Sequence, residues 1–360
     1  MINSMHKIPE KMKSAVLVDY GKLQVTETAV PQPEFQEVLI KVEACAICGT
    51  DPKIVKKGWQ NHPPLGEFIP GHEYAGTVVT LGDQVTSFEI GDRVAVEPHK
   101  GCGICVNCIR GNYTTCLNYG NVEMGHRHYG FTCNGGYAEY AVNHINSVHK
   151  IPENVSVDEA TLITTTGSAL YGIIRIGGIK AGEAVVVSGP GSIGLMAVQL
   201  AKIMGAGKII LTGTRDSRLQ IGKALGADVV INIKESDVKK KVFQETDGLG
   251  AGLVLECAGT PGAAQTAVDF TAKNGRIAFI GIYGEPVTID LNKIVQWNIT
   301  TIGSKAEGDW CLERILPYME KGLIRAQPLI THTFKLDDIH KGFETFEKRI
   351  DNAIKVVIKP

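Results

Sequence analysis

The chain lacks an excess of charge of either sign: 37 basic and 38 acidic side chains leave a formal net charge of -1 over 360 residues. Without an electropositive field there is little to draw it to nucleic acid or to an anionic membrane, so neither is expected as a partner. An uninterrupted apolar run of membrane length is missing as well. Residues Ala184 to Ala201 (AVVVSGPGSIGLMAVQLA) are uncharged, but a Gly-Pro-Gly turn divides them, which predicts strand, turn and buried helix. The opening stretch, MINSMHKIPEKMK, intersperses charges and has no apolar centre of the secretory kind. Internal repeats and low-complexity segments are also wanting. What is present, 44% hydrophobic and 21% charged residues, suits a folded chain with a substantial core, and the length suggests about two domains. A small neutral or modestly charged substrate is expected. Nine cysteines without an export signal predict a reducing, cytoplasmic setting, where thiolates serve as metal ligands or nucleophiles more readily than as disulfides.

The texture of the sequence changes near residue 157. Before it come short β-type runs, AVLVDY, EVLIKVEA, AGTVV, RVAVEP and GYAEYAV, each closed by Gly, Pro or Asp, as expected of a compact β-rich domain. After it, strand and helix patterns alternate: AVVVSG, LMAVQLAKIMGA, KIILTG, SRLQIGKALGA, DVVIN, SDVKKKVFQET, LVLECAG and RIAFIG. That alternation predicts an α/β Rossmann fold, a doubly wound parallel sheet, over residues 158–296. From about Trp297 the alternation fades, and NAIKVVIKP reads as a lone strand returning to the first domain. The Rossmann unit is then an insertion between residues 1–157 and 297–360, with a cleft between the two domains.

Ser188 to Gly194 read SGPGSIG, between a buried strand and an apolar helix. Gly189 permits a tight turn, Gly191 lets the backbone approach a pyrophosphate, and Gly194 allows close packing. Ser192 and Ile193 open the helix whose N-terminus offers N–H donors to a dinucleotide. An NAD site places an acidic residue about 20 residues further on, at the end of the second strand. KIILTGTRDS has Gly213 there, followed by Thr214 and Arg215. The absent carboxylate and the adjacent guanidinium favour NADP over NAD; the competing reading leaves Arg215 in solvent and lets Asp216 serve NAD.

Cys102, Cys105, Cys108 and Cys116 follow a C-x-x-C-x-x-C pattern with a gap of seven residues before the last. Four close thiolates suit a tetrahedral zinc and fill its coordination sphere, which makes such a metal structural; an iron–sulfur cluster and a pair of disulfides are the alternatives. Two further stretches offer a second set of ligands. AICGTD supplies Cys48, with Thr50 and Asp51 close behind, and PGHEYAG supplies His72 and Glu73. A thiolate, an imidazole and a carboxylate can hold zinc and leave a position open, although each residue taken singly is more often structural.

AICGTD, GHEYAGTV, GDRVAVEP, the four-cysteine lobe, NGGYAEYAV and SGPGSIG, in that order, closely resemble the zinc-dependent medium-chain alcohol dehydrogenases, in particular the branch of sorbitol, threonine and sugar dehydrogenases. The resemblance runs from about residue 13 to the end. It implies a GroES-like catalytic domain beside the Rossmann domain, a structural zinc lobe at about residues 100–117, two zinc ions per chain, and a homo-oligomer, dimer or tetramer. Cys48 and His72 match catalytic ligands, Glu73 the carboxylate beside them, Thr50 the hydroxyl that receives the substrate proton, and Asp51 the acid that orients His72. The four lobe cysteines match the structural site.

Two positions depart from that pattern. Thr164, or Thr165 one step on, stands where a third protein ligand is usual, and a neutral threonine hydroxyl is a poor zinc ligand, so either Glu73 completes the catalytic site or the catalytic zinc is weakly held. Lys53 stands where many members carry the histidine that ends the proton relay. The expected reaction passes hydride between a secondary alcohol of a polyol, sugar or cyclitol and C4 of a nicotinamide, with zinc lowering the pKa of the hydroxyl and Thr50 carrying its proton outward. Trp59, His62, His126 and His128 are candidates for the cleft mouth, with loop packing or solvent exposure the plainer role for each. The rival readings are a zinc-free quinone or enone reductase of the same fold and a catalytically silent nucleotide-binding protein.

Overall fold

A computed structural model describes residues 8–360 except 309. The opening residues 1–7, on which part of the export reading rests, lie outside the described residues. No helix among the described residues is long and apolar enough to cross a membrane. The chain divides into two compact units, one of residues 1–162 and 330–360, the other of residues 163–329.

The first unit is built on a seven-stranded sheet. Its order is Ile330–Lys335, Lys355–Lys359, Glu37–Ala46, Glu73–Leu81, Arg93–Val96 and Val148–Lys150, with Tyr140–His144 also paired to Glu37–Ala46. The central strand, EVLIKVEACA, buries most of its length because apolar residues fall on both faces. Lys11–Asp19 and Lys22–Ala29 form a separate antiparallel pair. The core gathers Leu17, Ile40, Phe68, Tyr74, Tyr137 and Ile358, among others. Of the run GYAEYAV only Tyr140 onward enters a named strand, while Ala138 makes an isolated bridge to Ser14. That half of the run pairs with Lys11–Asp19 instead, Ala15 N–H donating to the Tyr137 carbonyl and Glu139 N–H to that of Lys13.

The second unit carries six parallel strands in the order Val229–Asn232, Lys208–Gly213, Ala184–Ser188, Ala251–Glu256, Thr271–Phe279 and Thr300–Gly303. Numbered along the chain within this unit, that is 3-2-1-4-5-6, the order of the dinucleotide-binding fold. Order reverses beside Ala184–Ser188, so the crevice for a ligand opens at the carboxyl end of that strand, where SGPGSIG begins. The AVVVS strand is buried by β-branched residues, as a strand covered on both faces requires.

The units divide at 162/163 and 329/330, in place of the expected 157/158 and 296/297. The larger correction is at the second boundary. Thr300–Gly303 pairs in parallel with the strand ending at Phe279, and helix Cys311–Glu320 packs on helix Ile163–Arg175, so both belong to the second unit. The strand TTIG is short, polar and largely exposed at the sheet edge, so it carries no apolar run for sequence reading to detect. The final strand does return to the first unit, between Ile330–Lys335 and Glu37–Ala46.

Candidate functional site

Sheet register assembles the first cluster. Ala46 stands opposite Glu73 on one side and Val357 on the other. Cys48 lies two residues beyond Ala46, His72 precedes Glu73, and Lys355 lies two residues before Val357, so three distant segments converge at one sheet end. Cys48, His72 and Glu73 bring ligand atoms within 4.8 Å of one another. Cys48 is half-buried, whereas His72 and Glu73 are buried, which leaves access from the cysteine side.

Asp51 opens helix Asp51–Lys57 and is wholly buried. Its Oδ2 accepts from the Cys48 backbone N–H at 2.7 Å and from the Tyr137 hydroxyl at 3.0 Å, and its Oδ1 accepts from His72 Nδ1–H at 3.1 Å. This fixes the imidazole's tautomer and orientation, leaving Nε2 as the ligand atom. Burial opposes a proton on His72, but the Asp51 carboxylate and the Cys48 sulfur outweigh it and hold the imidazole well above its usual pKa. Surroundings that favour a proton there favour a metal cation for the same electrostatic reason. Thr50 Oγ1 lies 3.9 Å from Cys48 Sγ at a half-buried position. Lys53 is exposed on the helix.

Sequence reading missed Lys355. Its ammonium pairs with Glu73 Oε2, both side chains being 2% exposed. Burial lowers its pKa, but Glu73 and Cys48 more than compensate, so Lys355 stays charged. A signal was present: in AIKVVI, a lysine interrupts an apolar strand and must face the interior. Tyr137 in GGYAEY was likewise not assigned. Thr164 sits in the second unit, buried on helix Ile163–Arg175, and its hydroxyl makes no hydrogen bond among the described residues. Thr165 is buried on the same helix.

The four lobe cysteines converge too, again with sulfurs within 4.8 Å of one another. The Cys102–Cys108 and Cys105–Cys116 sulfurs are 3.8 and 3.9 Å apart. A tetrahedron with metal–sulfur bonds of about 2.3 Å has edges of about 3.8 Å, whereas a disulfide needs about 2.05 Å. The disulfide alternative therefore falls away, and all nine cysteines are free. Backbone N–H groups of Cys105, Cys108, Leu117 and Asn118 point at these sulfurs. For Cys102 burial raises the pKa, yet the N–H groups of Ile104 and Cys105 prevail and bring it down to about 6. Burial pushes Cys108 up to about 12 and raises Cys116 also. Four thiols this close cannot all ionise without a cation among them, so the donor chemistry fits a tetrahedral metal.

At the glycine turn, Gly189 has φ +100° and accepts no side chain without strain. A Cβ on Gly194 would stand 1.9 Å from the Gly189 carbonyl, while one on Gly191 would meet open space. Ser192 and Ile193 begin helix Ser192–Ile203 behind Gly191. Gly213 ends its strand, and a Cβ there would lie 2.4 Å from the Pro190 ring. Thr214 is exposed and half-buried Arg215 precedes helix Asp216–Leu225. Asp216 is engaged by the Asn232 side chain at 2.9 Å.

The four candidates for the cleft mouth divide. Trp59 and His62 are half-buried, but His126 and His128 are buried, so solvent exposure is corrected for those two. Ring packing explains it: His128 stacks between His99 and Phe131, and His126 packs on Tyr119.

Comparison with known proteins agrees with this geometry. Residues 34–153 match the alcohol dehydrogenase GroES-like domain, and residues 192–316 match the zinc-binding dehydrogenase domain. A sorbitol dehydrogenase of Halalkalibacterium halodurans is 33% identical over 358 residues, 97% of this chain and 99% of the relative. An L-threonine 3-dehydrogenase of Pyrococcus horikoshii is 35% identical over 338 residues, 92% of each chain. Among solved structures, an alcohol dehydrogenase of Escherichia coli CFT073 complexed with NADH superposes with a TM-score of 0.88 at 28% identity, covering 98% of this chain and 100% of that one. A dehydrogenase of Sinorhizobium meliloti 1021 bound to NADP does so with 0.89 at 27%, again covering 98% and 100%. The chain belongs to the zinc-dependent medium-chain alcohol dehydrogenase family. It is an NAD(P)-dependent oxidoreductase acting on CH–OH groups of alcohols or polyols.

Proposed function

We propose that the chain holds two zinc ions, a catalytic one at Cys48, His72 and Glu73 and a structural one at Cys102, Cys105, Cys108 and Cys116. In this reading it transfers hydride between a secondary hydroxyl of a polyol, sugar or cyclitol and NADP in preference to NAD. The observation that carries the proposal is the convergence of Cys48, His72 and Glu73 within 4.8 Å around an imidazole already fixed by Asp51. Zinc at these ligands would lower the pKa of a substrate hydroxyl. Thr50, half-buried beside Cys48, takes up the released proton and passes it outward. Asp51 keeps His72 oriented while its own charge is spent on three donors. The backbone N–H groups of Ser192 and Ile193 receive the pyrophosphate, and open space at Gly191 lets it approach.

The NADP preference is supported by exclusion as well as attraction. The Pro190 ring occupies the place of a side chain at Gly213, so no carboxylate stands there to repel a 2′-phosphate. Asp216 is occupied by Asn232, and Arg215 offers the pairing guanidinium. A homo-oligomer, dimer or tetramer, is supported by the exposed edge strand Thr300–Gly303 and by exposed Leu291 and Val295 just before it in the chain. Free thiols throughout the chain suit the cytoplasm.

The test is a set of initial rates for polyols, aldoses, cyclitols and simple secondary alcohols, each with NAD⁺ and NADP⁺ at matched concentration, and with the carbonyls and reduced cofactors in reverse. Turnover of a polyol or sugar with NADP⁺ ahead, a preference that Arg215→Ala reduces at least tenfold, is the expected result. Silence throughout removes the catalytic proposal, and equal use of both cofactors removes the Arg215 reading.

A further inference from the structure

A chain of polar contacts joins the cysteine lobe to the ring wall beside His72. Trp59 Nε1–H donates to the Tyr119 hydroxyl at 2.9 Å, and that hydroxyl lies 2.6 Å from His128 Nδ1. Burial pushes the Tyr119 phenol up to about 12, against the Trp59 N–H, so it keeps its proton. The phenolic oxygen accepts the indole N–H and shares a second hydrogen bond with His128 Nδ1, so Tyr119 bridges Trp59 to His128.

The far end of this chain cannot give way easily. His128 is 3% exposed and lies between the His99 ring, with centroids 3.7 Å apart, and the Phe131 ring, also at 3.7 Å. Phe131 in turn touches the His72 ring at 4.6 Å and takes the Trp59 indole edge-on at 5.0 Å. The indole is held at two points, its edge on Phe131 and its N–H on Tyr119, while part of its surface stays exposed one ring away from the candidate metal ligand. Tyr119 itself comes from the lobe. It follows Cys116 by three residues, and its neighbour Asn118 donates to the sulfurs of Cys116 and Cys102.

We propose that Tyr119 is a positioning residue through which the cysteine lobe holds the Trp59 indole as one wall of the substrate space, and so sets affinity and selectivity for the alcohol. The proposal rests on the dehydrogenase reading of the Cys48, His72 and Glu73 site. Tyr119 touches neither substrate nor cofactor in this account; it acts by removing the freedom of Trp59.

Tyr119→Phe tests it, since the ring and its packing remain while the hydroxyl that bonds Trp59 and His128 goes. The Trp59 indole N–H resonance, identified in ¹⁵N spectra by its loss in Trp59→Phe, is expected to move upfield in Tyr119→Phe. Sorbitol titrated with NADP⁺ is expected to shift the same resonance in the unaltered protein, and Tyr119→Phe to need about five times more sorbitol for half-saturation. In turnover, KM should rise about fivefold with kcat within twofold and the metal content unchanged. Trp59→Phe added to Tyr119→Phe should raise KM no further, because both changes remove one restraint. An unmoved indole resonance, an unchanged half-saturation, additive effects of the two substitutions, or a fall in kcat with loss of metal each overturns the proposal. Failure of the dehydrogenase reading looks different: the unaltered protein turns over no alcohol and its indole resonance ignores sorbitol, while the upfield shift in Tyr119→Phe persists.

Discussion

The two candidate metal clusters in the first unit are built by opposite strategies. The lobe takes four like donors from a single stretch, Cys102 to Cys116, and satisfies their sulfurs with backbone N–H groups of that stretch and of the next two residues. The Cys48 site takes three unlike donors from two separate strand ends, and of its supporting groups Asp51 follows Cys48 while Tyr137 and Lys355 come from two more places in the chain. A local cluster that fills a tetrahedron has no position left for substrate and repays its cation in order. A dispersed cluster with three donors keeps a position open and depends on the fold to hold it. In the proposed reading, metal makes structure in the first, and structure makes a place for metal in the second.

The comparison breaks most visibly if the roles are exchanged by mutation. Cys48→Ala is expected to lower kcat/KM about a thousandfold or more while the melting temperature stays within a few degrees, since several kcal/mol of barrier lowering are lost and little packing is. Cys105→Ala should do the reverse: loss of soluble, folded protein or a large drop in thermal midpoint, with the surviving fraction still active. Metal analysis and calorimetry on both variants check the pair, and a stable but inactive Cys105→Ala protein would show that the lobe is not merely structural.

Lys355 sharpens the contrast further. Lys355→Met leaves Glu73 buried without its cation, and removing one member of a buried ion pair typically costs about 3–5 kcal/mol. If Glu73 also serves a metal, the loss should be smaller in zinc-loaded protein than after chelation, and Glu73→Gln combined with Lys355→Met should recover most of it. Equal losses with and without zinc would mean that Glu73 answers to Lys355 alone.

How much of this was readable in the residues follows the same division. The lobe was legible because its spacing is its geometry, and the glycine turn because SGPGSIG sits between a clear strand and a clear helix. Cys48, His72 and Glu73 could be named from short motifs, but what brings them together is the register Glu73–Ala46–Val357, a property of strand pairing that no local pattern encodes. Lys355 escaped for that reason: it lies 282 residues from its partner. The sheet edge Thr300–Gly303 escaped for another, since an exposed edge strand needs no apolar period and shows none. Pro190 facing Gly213 was likewise invisible, because the absent carboxylate could be read from one segment and its steric cause lies in another.

Asp51 offers a smaller and more selective break. Asp51→Asn keeps the shape and one acceptor but removes the charge that orients His72 and supports it as a ligand. Partners of this kind commonly contribute 10–100-fold to metal affinity or activity. A loss of that size, confined to the Cys48 site with lobe zinc retained, is expected from metal titration and kcat/KM; a change below twofold would leave His72 oriented by packing on Phe131 alone.

Acid is the least discriminating probe, and a single side chain decides how well it can be used. Burial, with Lys100 and Arg127 nearby, lowers His144 to about 4, below the usual histidine value of about 6.5. The unfolded chain therefore binds more protons between these values, and the native state is fully favoured above pH 6.5 and loses stability as pH falls towards 4. Protonation would also set an N–H against the Asn146 backbone N–H that Nδ1 now accepts. Since His144 ends the strand paired to Glu37–Ala46, which leads into Cys48, scaffold loss on acidification reaches the dispersed site. His144→Asn keeps an acceptor for Asn146 without titrating. It should remove about 2–4 °C of the fall in thermal midpoint between pH 7 and 5, a modest figure because the ring is half-exposed. In that background any remaining acid loss of activity belongs to the dispersed site, and an acid profile identical to that of the unaltered protein would show that His144 does not report on the scaffold.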